Sequence, residues 1–361
     1  MIDLQVNINE KEKSYPIHIF QDNIENLKAK ILMNLDGRKF LVVISEKVEK
    51  LYGKALRFNN AEKFVLKDGE KEKNINNYKK ILDKAFKMKL TRKDAIIAIG
   101  GGVVGDITGF VASTYMRGID YIQVPTTLLA CVDSSVGGKV AVNNKFGKNL
   151  IGSFYQPSAV YINLNFLQTL DERQYKSGLG EVIKYIFIEK SCNCRHEFNL
   201  SNFISENIDR ILSRNLSTLE QLIAACVILK ISVVEQDEKE SGLRKILNFG
   251  HTYGHAIENI TKYKKYTHGE AVVKGMRFAF NLAKEKGFVD EHYAYIANDI
   301  LDKFEFQSIP AFSQEKIIEA MKMDKKAENG RITFVLPTDY AQVREVSLAE
   351  DEIFVDKTIG L

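Results

Sequence analysis

The sequence predicts a chain of two parts, an α/β domain followed by an all-α domain. In the first half, short apolar runs of strand length alternate with helical stretches, which is typical of a mostly parallel sheet covered by helices. From about residue 165 onward, helical periods dominate. With 361 residues the chain is long enough for two domains of ordinary size, and we place them at residues 1–165 and 166–361.

The predicted elements follow in order along the chain. Alternation of apolar and polar residues predicts a first strand at the N-terminus. Apolar runs of strand length predict four more strands, at residues 40–44, 63–66, 95–99 and 121–124. Helical spacing predicts helices over residues 76–89, 216–234 and 271–286. Asp171 and the two residues after it are placed to open the helical part.

The composition argues against nucleic acid and membranes as partners. The 51 basic and 47 acidic residues are too balanced for nucleic-acid binding by bulk charge, but they suit a small anionic substrate if basic side chains converge. The four cysteines form no CxxC pair, which indicates reduced thiols. The N-terminus lacks the basic start of a signal peptide, and no run approaches the ~18 apolar residues of a membrane helix. We therefore expect a cytoplasmic protein.

A glycine-rich turn follows the strand predicted at residues 95–99. Gly100, Gly102 and Gly105 satisfy G-x-G-x-x-G, and a predicted helix comes next. Strand, tight turn and helix are the context of a Rossmann-like dinucleotide site, where glycine lets the backbone approach a pyrophosphate at the helix N-terminus. The acid expected about 20 residues later is missing, and a purely structural turn stays open as the alternative. Acidic residues at the ends of other strands, such as Asp68 and Glu70, are candidates for reading the ribose.

A second polar loop follows the strand predicted at residues 121–124. It begins with Thr126 and Thr127 and continues through small residues to Lys139. The loop does not match a P-loop, because Val140 stands where serine or threonine is required. Small residues beside a lysine still suit a phosphate or a carboxylate.

Three of the six histidines cluster late in the chain. His251 and His255 lie four residues apart, which puts them on one face of a helix, and His268 follows shortly afterwards. Glu181 lies in an apolar predicted helix, where a carboxylate is costly unless it is paired or bound to a cation. Histidines with a carboxylate would make a catalytic zinc site, while ordinary hydrogen-bonded helix histidines remain the alternative. Thr252 replaces the glutamate of an HExxH motif, which disfavours a metalloprotease.

Several blocks taken in order resemble the 3-dehydroquinate synthases of the sugar-phosphate cyclase family. The resemblance runs from about Asp68 to Pro337. Its blocks are residues 100–106, 125–130, 132–139, 181–185, 242–244, 247–252 and 268–272. A correct order of several blocks is far more specific than any single block.

The resemblance implies a dehydroquinate synthase-like fold, with a Rossmann-like N-terminal domain, a helical C-terminal domain and an active site between them. It implies bound NAD, one divalent metal ion (Zn²⁺ or Co²⁺) and a homodimer. The implied reaction converts 3-deoxy-D-arabino-heptulosonate 7-phosphate to 3-dehydroquinate and phosphate, in the shikimate pathway of aromatic amino acid biosynthesis. Transient oxidation, phosphate elimination, re-reduction and intramolecular aldol closure would make the enzyme a carbocycle-forming lyase.

The resemblance also implies a role for individual residues. The metal ligands would be Glu181, His251 and His268, with His255 facing the substrate instead. NAD would contact Asp68, Glu70, Lys73, Gly101, Gly102, Val103, Val104, Gly105, Asp106, Thr126, Thr127, Lys139 and Lys148. The catalytic residues would be His255, Lys139, Lys184, Lys230, Arg244 and Asn248. The substrate would also meet Arg117, Asp133, Asn149 and either Lys325 or Lys326.

Three other functions stay open at this stage. A polyol dehydrogenase of similar architecture would accumulate NADH, a related cyclase would make an inosose or a valiolone, and a sensor of NAD or metal would catalyse nothing. The sequence also departs from the family at a few positions, including Gly180, where alanine is usual, and Ser45, which replaces an acid. These departures put local packing and NAD affinity in question, but they remove no proposed ligand.

Overall fold

The computed structural model describes residues 1–6, 14–322, 327–328 and 330–354, with 327–328 described by their backbone alone. The density of internal contacts divides the chain into two compact units. The first comprises Met1–Leu170 and Asp209–Ile231, and the second comprises Asp171–Ile208 and Ser232–Leu361. The two-domain boundary after residue 165 stays a prediction, and the sequence gives no sign that Asp209–Ile231 packs with the first unit.

The elements alternate in the first half of the chain and are mainly helical in the second. The strands are β1 (Ile2–Val6), β2 (Tyr15–Phe20), β3 (Phe40–Ser45), β4 (Ala61–Leu66), β5 (Ala95–Gly100), β6 (Asp120–Pro125), β7 (Lys139–Asn144), β8 (Gly147–Phe154), β9 (Ala159–Asn163), β10 (Ala327–Glu328), β11 (Arg331–Asp339) and β12 (Gln342–Ala349). The helices are α1 (Ile24–Leu35), α2 (Glu46–Tyr52), α3 (Ile75–Lys87), α4 (Gly102–Thr114), α5 (Asn165–Gln168), α6 (Glu172–Ile188), α7 (Leu200–Leu212), α8 (Leu216–Gln236), α9 (His251–Ile260), α10 (His268–Glu285), α11 (Glu291–Asp302), α12 (Gln314–Lys322) and α13 (Glu350–Ile353).

The first unit is built on a seven-stranded sheet in the order β1-β2-β9-β6-β5-β3-β4. All pairs are parallel except β1 with β2. Every residue of β3 and of β5 is buried, as expected for central strands covered on both faces. Two hydrophobic clusters lie on the two faces of these strands. The four predicted apolar strands and the α/β class are therefore confirmed.

The parallel strands bring the predicted cofactor residues to one edge of this sheet. Gly100 ends β5 opposite Pro125, which ends β6. Ser45 ends β3 opposite Leu66, which ends β4. The glycine turn and the loops that follow β4 and β6 therefore share the carboxyl edge, where open α/β sheets bind their ligands.

The second unit is helical, as predicted, but it also contains strands. Asp171 caps α6, because its carboxylate accepts the backbone N–H groups of Arg173 and Gln174. Strands β10, β11 and β12 form a small antiparallel sheet. This sheet corrects the expectation of an all-α domain. The longer strands, β11 and β12, are antiparallel and are joined by a tight turn at Tyr340. The prediction missed them because it searched this part of the sequence for helical periodicity.

Close backbone contacts hold α10 against two neighbouring helices. A Cβ atom on Gly269 would overlap the carbonyl oxygen of Ser177 on α6. A Cβ atom on Gly275 would overlap the carbonyl oxygen of Gly250, which caps α9. Only glycine permits these approaches, and they fix the start of α10 relative to both helices.

Helix α8 has the length and apolar composition of a membrane-spanning helix. However, 72% of its most apolar stretch is buried within the protein, which is what a core helix shows. Among the described residues, no other helix passes the same test.

Candidate functional site

Three helices of the second unit bring one carboxylate and two imidazoles together. Glu181 comes from the middle of α6, while His251 and His268 are the first residues of α9 and α10. Oε1 of Glu181 lies 3.5 Å from Nε2 of His251 and 3.4 Å from Nε2 of His268. All three donor atoms lie within 4.8 Å of one another, which is the arrangement of a three-ligand metal site with an open position.

The two imidazoles are held with the same nitrogen facing the centre. Nδ1 of His251 lies 3.0 Å from the carbonyl oxygen of Phe249, to which it donates in the tautomer that leaves Nε2 unprotonated. Nδ1 of His268 lies 3.3 Å from Oε2 of Glu258. An acceptor at Nδ1 selects the tautomer with a lone pair on Nε2, as metal-binding histidines require.

Glu181 is the group that most clearly fits a cation. Its side chain is 1% exposed, and neither carboxylate oxygen accepts a well-oriented hydrogen bond from the described residues, although Nζ of Lys184 lies 2.5 Å from Oε2. Burial alone would raise the pKa of Glu181, but Lys184, His251 and His268 hold it well below its usual range. A buried, ionised carboxylate with imperfectly satisfied oxygens is stabilised by a positive ion.

The two imidazoles differ in charge. Burial lowers the pKa of His251 well below its usual range, and Lys184 contributes in the same direction while Glu181 opposes it. Burial would also lower the pKa of His268, but Glu258 and Glu181 outweigh it and raise the pKa to about 10. His251 is therefore neutral at pH 7, and His268 carries the proton that a metal ion would displace.

The other predicted residues of the second unit lie on α9 and on the turn before it. The ring of His255 lies 5.4 Å from that of His251 and 6.1 Å from that of His268. Nδ2 of Asn248 donates to Oε1 of Glu240 at 2.8 Å. Arg244 is buried, and its guanidinium donates to the carbonyl oxygen of Glu238. Lys325 and Lys326 lie outside the described residues.

Asp237 organises the turn that carries Arg244. Its carboxylate accepts the backbone N–H groups of Ser241, Gly242 and Arg244 at 2.8–3.0 Å. Burial opposes ionisation, but these bonds outweigh it and lower the pKa of Asp237 to about 2. The loop therefore has a fixed shape at neutral pH.

In the first unit, the glycine turn forms the start of α4. Gly101 caps the helix without a side-chain hydrogen bond, and the backbone packs closely on the neighbouring loops. A Cβ atom on Gly101 would lie 3.0 Å from Thr127, and one on Gly102 would lie 3.0 Å from Ser134. A helix start without a side-chain cap, approached by small residues, is suited to a pyrophosphate. Val103, Val104 and Gly105 continue the first turn of this helix.

Two predicted cofactor residues and one predicted substrate residue form a single network in this unit. Nζ of Lys73, which is buried, forms an ion pair with Asp106 on α4 and donates to Oδ1 of Asn149 at 2.6 Å. Burial raises the pKa of Asp106, while Lys73 opposes the rise. Asn143 connects the same region to Glu70, because its Nδ2 donates to Oε1 of Glu70 at 2.8 Å. The structure thus groups side chains that are far apart in sequence.

The remaining predicted residues of this unit lie on its loops and hairpin. Nζ of Lys230 on α8 contacts Oδ1 of Asp133 at 2.5 Å and the Asp133 carbonyl oxygen at 2.6 Å. Asp133 itself belongs to a π-helical turn, a feature frequent at functional sites. Asp68 accepts the backbone N–H of Lys47 at 3.1 Å. Thr126 is buried, Lys148 is half-buried, and Lys139 and Arg117 are exposed.

Sequence reasoning missed Glu258, Asp237 and Asn143. Glu258 had a local signal, because it lies seven residues after His251 and therefore on the same helical face. Asp237 and Asn143 had none, since their partners are backbone groups or side chains brought near by folding. The roles that the resemblance gave to individual residues stay predictions, although many of those residues share networks.

Two family profiles match consecutive parts of the chain. The profile described as 3-dehydroquinate synthase N-terminal matches residues 63–177. The profile described as 3-dehydroquinate synthase C-terminal matches residues 178–327. Together they cover both the glycine turn and the three helices that carry Glu181, His251 and His268.

Relatives match over almost the whole chain. A 3-dehydroquinate synthase from Alkaliphilus metalliredigens is 44% identical over 351 residues, which is 96% of each chain. One from Dictyoglomus thermophilum is 44% identical over 354 residues, covering 98% of this chain and 96% of the relative. The solved structure of 2-deoxy-scyllo-inosose synthase complexed with carbaglucose-6-phosphate, NAD⁺ and Co²⁺ has a TM-score of 0.84 at 25% identity and covers 100% of both chains. By its matched profiles and these identities, this chain belongs to the 3-dehydroquinate synthase family.

Proposed function

We propose that this chain is an NAD- and metal-dependent lyase that converts 3-deoxy-D-arabino-heptulosonate 7-phosphate to 3-dehydroquinate and phosphate. One observation carries the proposal: the donor atoms of Glu181, His251 and His268 converge within 4.8 Å of one another around a buried, ionised carboxylate. Family membership and a structural relative solved with NAD⁺ and Co²⁺ support it.

The three residues would hold the ion by one carboxylate oxygen and two Nε2 atoms. A divalent cation bound there would act as a Lewis acid toward adjacent hydroxyl groups of the substrate. The carbonyl oxygen of Phe249 orients His251 by accepting a hydrogen bond from its Nδ1, and the carboxylate of Glu258 does the same for His268. The chain would thus supply a fixed donor set and leave one side open for substrate oxygens.

The first unit would hold NAD at the carboxyl edge of its sheet. The start of α4 offers backbone N–H groups to the pyrophosphate, and Gly101 and Gly102 permit close approach. Asp68 and Glu70 follow β4 and are the carboxylates suited to ribose hydroxyls. These residues would hold NAD, and its nicotinamide would supply reversible hydride transfer with the substrate.

Basic residues would neutralise the phosphate and the carboxylate of the substrate. In the second unit the candidates are Lys184 and Arg244, both buried and both already held by neighbouring oxygens. In the first unit they are Lys230, held by Asp133, and the exposed Lys139 and Arg117, with Asn149 as a neutral donor. A polyol dehydrogenase has no need for so many cations, since its substrate carries no charge.

His255 is the side chain that would move a proton. It lies one helical turn after His251 on α9, and an imidazole ring can both accept and donate a proton through its two nitrogens. Its ring stands beside those of both histidine ligands without being part of the donor set with Glu181. This position suits proton transfer to a substrate held by the ion.

The decisive experiment measures phosphate release from the heptulosonate phosphate. We expect release only when NAD and a divalent metal are both present, with no net accumulation of NADH. A chelator should abolish release, and added Zn²⁺ or Co²⁺ should restore it. Stoichiometric NADH formation would instead indicate a dehydrogenase, and preference for a hexose phosphate in a substrate panel would indicate an inosose or valiolone cyclase.

A further inference from the structure

Glu258 lies on the same face of α9 as His251 and His255. It follows His251 by seven residues and His255 by three, which is two turns and one turn of helix. Its side chain is 5% exposed. A buried carboxylate needs charged or hydrogen-bonding partners, and the identity of those partners shows what it does.

Glu258 contacts His268, a proposed metal ligand, at the ring nitrogen that faces away from the proposed ion. Oε2 of Glu258 lies 3.3 Å from Nδ1 of His268, while Nε2 of the same ring faces Glu181 at 3.4 Å. The imidazole is therefore held between two carboxylates, one on each nitrogen. A carboxylate oxygen of Glu258 also lies within 4.8 Å of a ring nitrogen of His255. His255 is not one of the three proposed metal ligands.

We propose that Glu258 is a positioning residue that fixes the ring of His268 for metal binding and holds His255 beside it. The inference rests on the proposed function, because it assigns a role toward the same ion. When the carboxylate of Glu258 accepts a hydrogen bond from Nδ1–H of His268, the lone pair stays on Nε2. The same bond makes Nε2 a stronger metal ligand. Because Glu258 also lies close to His255, one carboxylate would position both His268, the proposed ligand, and His255, the proposed proton-transfer residue.

His251 shows why a charged partner matters at His268. Nδ1 of His251 meets a backbone carbonyl, whose position is set by the helix start at Gly250. His268 has no such backbone acceptor among its described contacts, so the side chain of Glu258 takes that place. Removing it would leave the ring of His268, which is 28% exposed, held by a carboxylate at Nε2 alone.

The test compares metal affinity among Glu258→Ala, Glu258→Gln and wild type by competition with a chelating dye, using Co²⁺ and Zn²⁺. We expect Glu258→Ala to bind about 10- to 100-fold more weakly, as for other partners of metal-binding histidines, once each affinity is corrected for the protons that binding releases at the assay pH. Glu258→Gln should recover part of this loss, because its amide oxygen still accepts from Nδ1 without the charge. The visible spectrum of bound Co²⁺ should shift in both variants.

Glu189→Gln is the matched control, since Glu189 is a partly buried carboxylate of the same unit that accepts the backbone N–H of Leu200. It should bind Co²⁺ like wild type. Wild-type affinity and an unchanged Co²⁺ spectrum in Glu258→Ala would overturn the role of Glu258, and if that variant does not fold, the same result in Glu258→Gln would do so. Failure of the wild type to bind Co²⁺ would instead overturn the proposed function.

Discussion

At the scale of single residues, the charges around Glu181 decide how the site behaves without metal. Lys184 and the protonated His268 together supply the positive charge that the buried carboxylate needs. His251 contributes none, because its pKa is lowered by burial. The metal-free protein is therefore stabilised by a proton and an ammonium group in place of an ion.

Metal binding should release a proton from His268. Its pKa is raised to about 10, so the ring is protonated at pH 7 and must lose that proton to coordinate. The apparent affinity should rise with pH until about 10 and then level off. Calorimetry of Co²⁺ binding in two buffers of different ionisation enthalpy measures this release directly, and a heat independent of the buffer would contradict it.

The same shift makes the stability of the metal-free protein depend on pH. The pKa of His268 is raised from 6.5 in the unfolded chain to about 10 in the folded one. Its contribution is therefore fully present below pH 6.5 and is lost as the pH rises through about 10. Urea unfolding between pH 6 and 10 should show this decline, and the variant His268→Gln should lack that component.

Replacing Lys184 should destabilise the metal-free protein, because it removes the positive charge nearest to Glu181. Lys184→Met leaves a buried carboxylate without its ammonium partner, a change that typically costs about 3–5 kcal/mol. Added Co²⁺ should recover part of this loss, because the ion supplies the missing charge. Urea unfolding with and without Co²⁺ tests both statements. Lys303→Met is the control, since its exposed pair with Asp299 contributes about 0–1 kcal/mol; equal losses in the two variants would contradict the prediction.

At the scale of elements, local patterns in the sequence located most of the fold. The strands β3 to β6 and the helices α3, α8 and α10 follow from apolar runs and helical spacing, which are properties of neighbouring residues. The sheet β10–β12 and the assignment of Asp209–Ile231 to the first unit depend on pairing between distant segments. Periodicity contains no information about that pairing.

Helix packing gives a prediction at this scale. Gly269→Ala places a methyl group on the carbonyl oxygen of Ser177, so α6 and α10 must separate. We expect a loss of about 1–3 kcal/mol in unfolding free energy, together with weaker Co²⁺ binding, because Glu181 and His268 are carried by these helices. Ser177→Ala removes the hydrogen bond to the Gly269 N–H without adding volume, and it should leave metal affinity close to wild type.

Gly180 shows how a departure from the family fits its surroundings. A Cβ atom there would lie 2.8 Å from the Cα atom of Gly269, on the same contact between α6 and α10. The alanine that is usual at this position would require the two backbones to lie farther apart than they do here. This departure therefore belongs to helix packing and touches no proposed ligand.

At the scale of the whole molecule, the sequence proposes a set of site residues but gives little information about the hydrogen-bond networks around them. The family resemblance names Glu181, His251 and His268 as proposed ligands, and the structure brings the donor atoms of these three residues together. Glu258 and Asp237 act through neighbours that the folded chain brings to them, the ring of His268 and three backbone N–H groups, so no motif marks them. The homodimer stays a prediction, and light scattering of the purified protein checks it.

The two proposed cofactors should bind independently to a first approximation. The residues proposed for NAD all belong to the first unit, and the three proposed metal ligands belong to the second. Chelation should therefore abolish turnover while changing the Kd for NADH, measured by its fluorescence, less than about threefold. A much larger change would show that metal binding reorganises the first unit.

The contacts at Gly269 and Gly275 have a consequence for the choice of ion. With α10 fixed against both neighbouring helices, the distances between the three donor atoms can adjust only by rotation of side chains. One carboxylate oxygen and two imidazole nitrogens then remain the donors that this part of the chain offers to an ion. Calcium, which takes six to eight oxygen donors, should therefore bind poorly, whereas Zn²⁺ and Co²⁺ accept imidazole nitrogens and should be preferred.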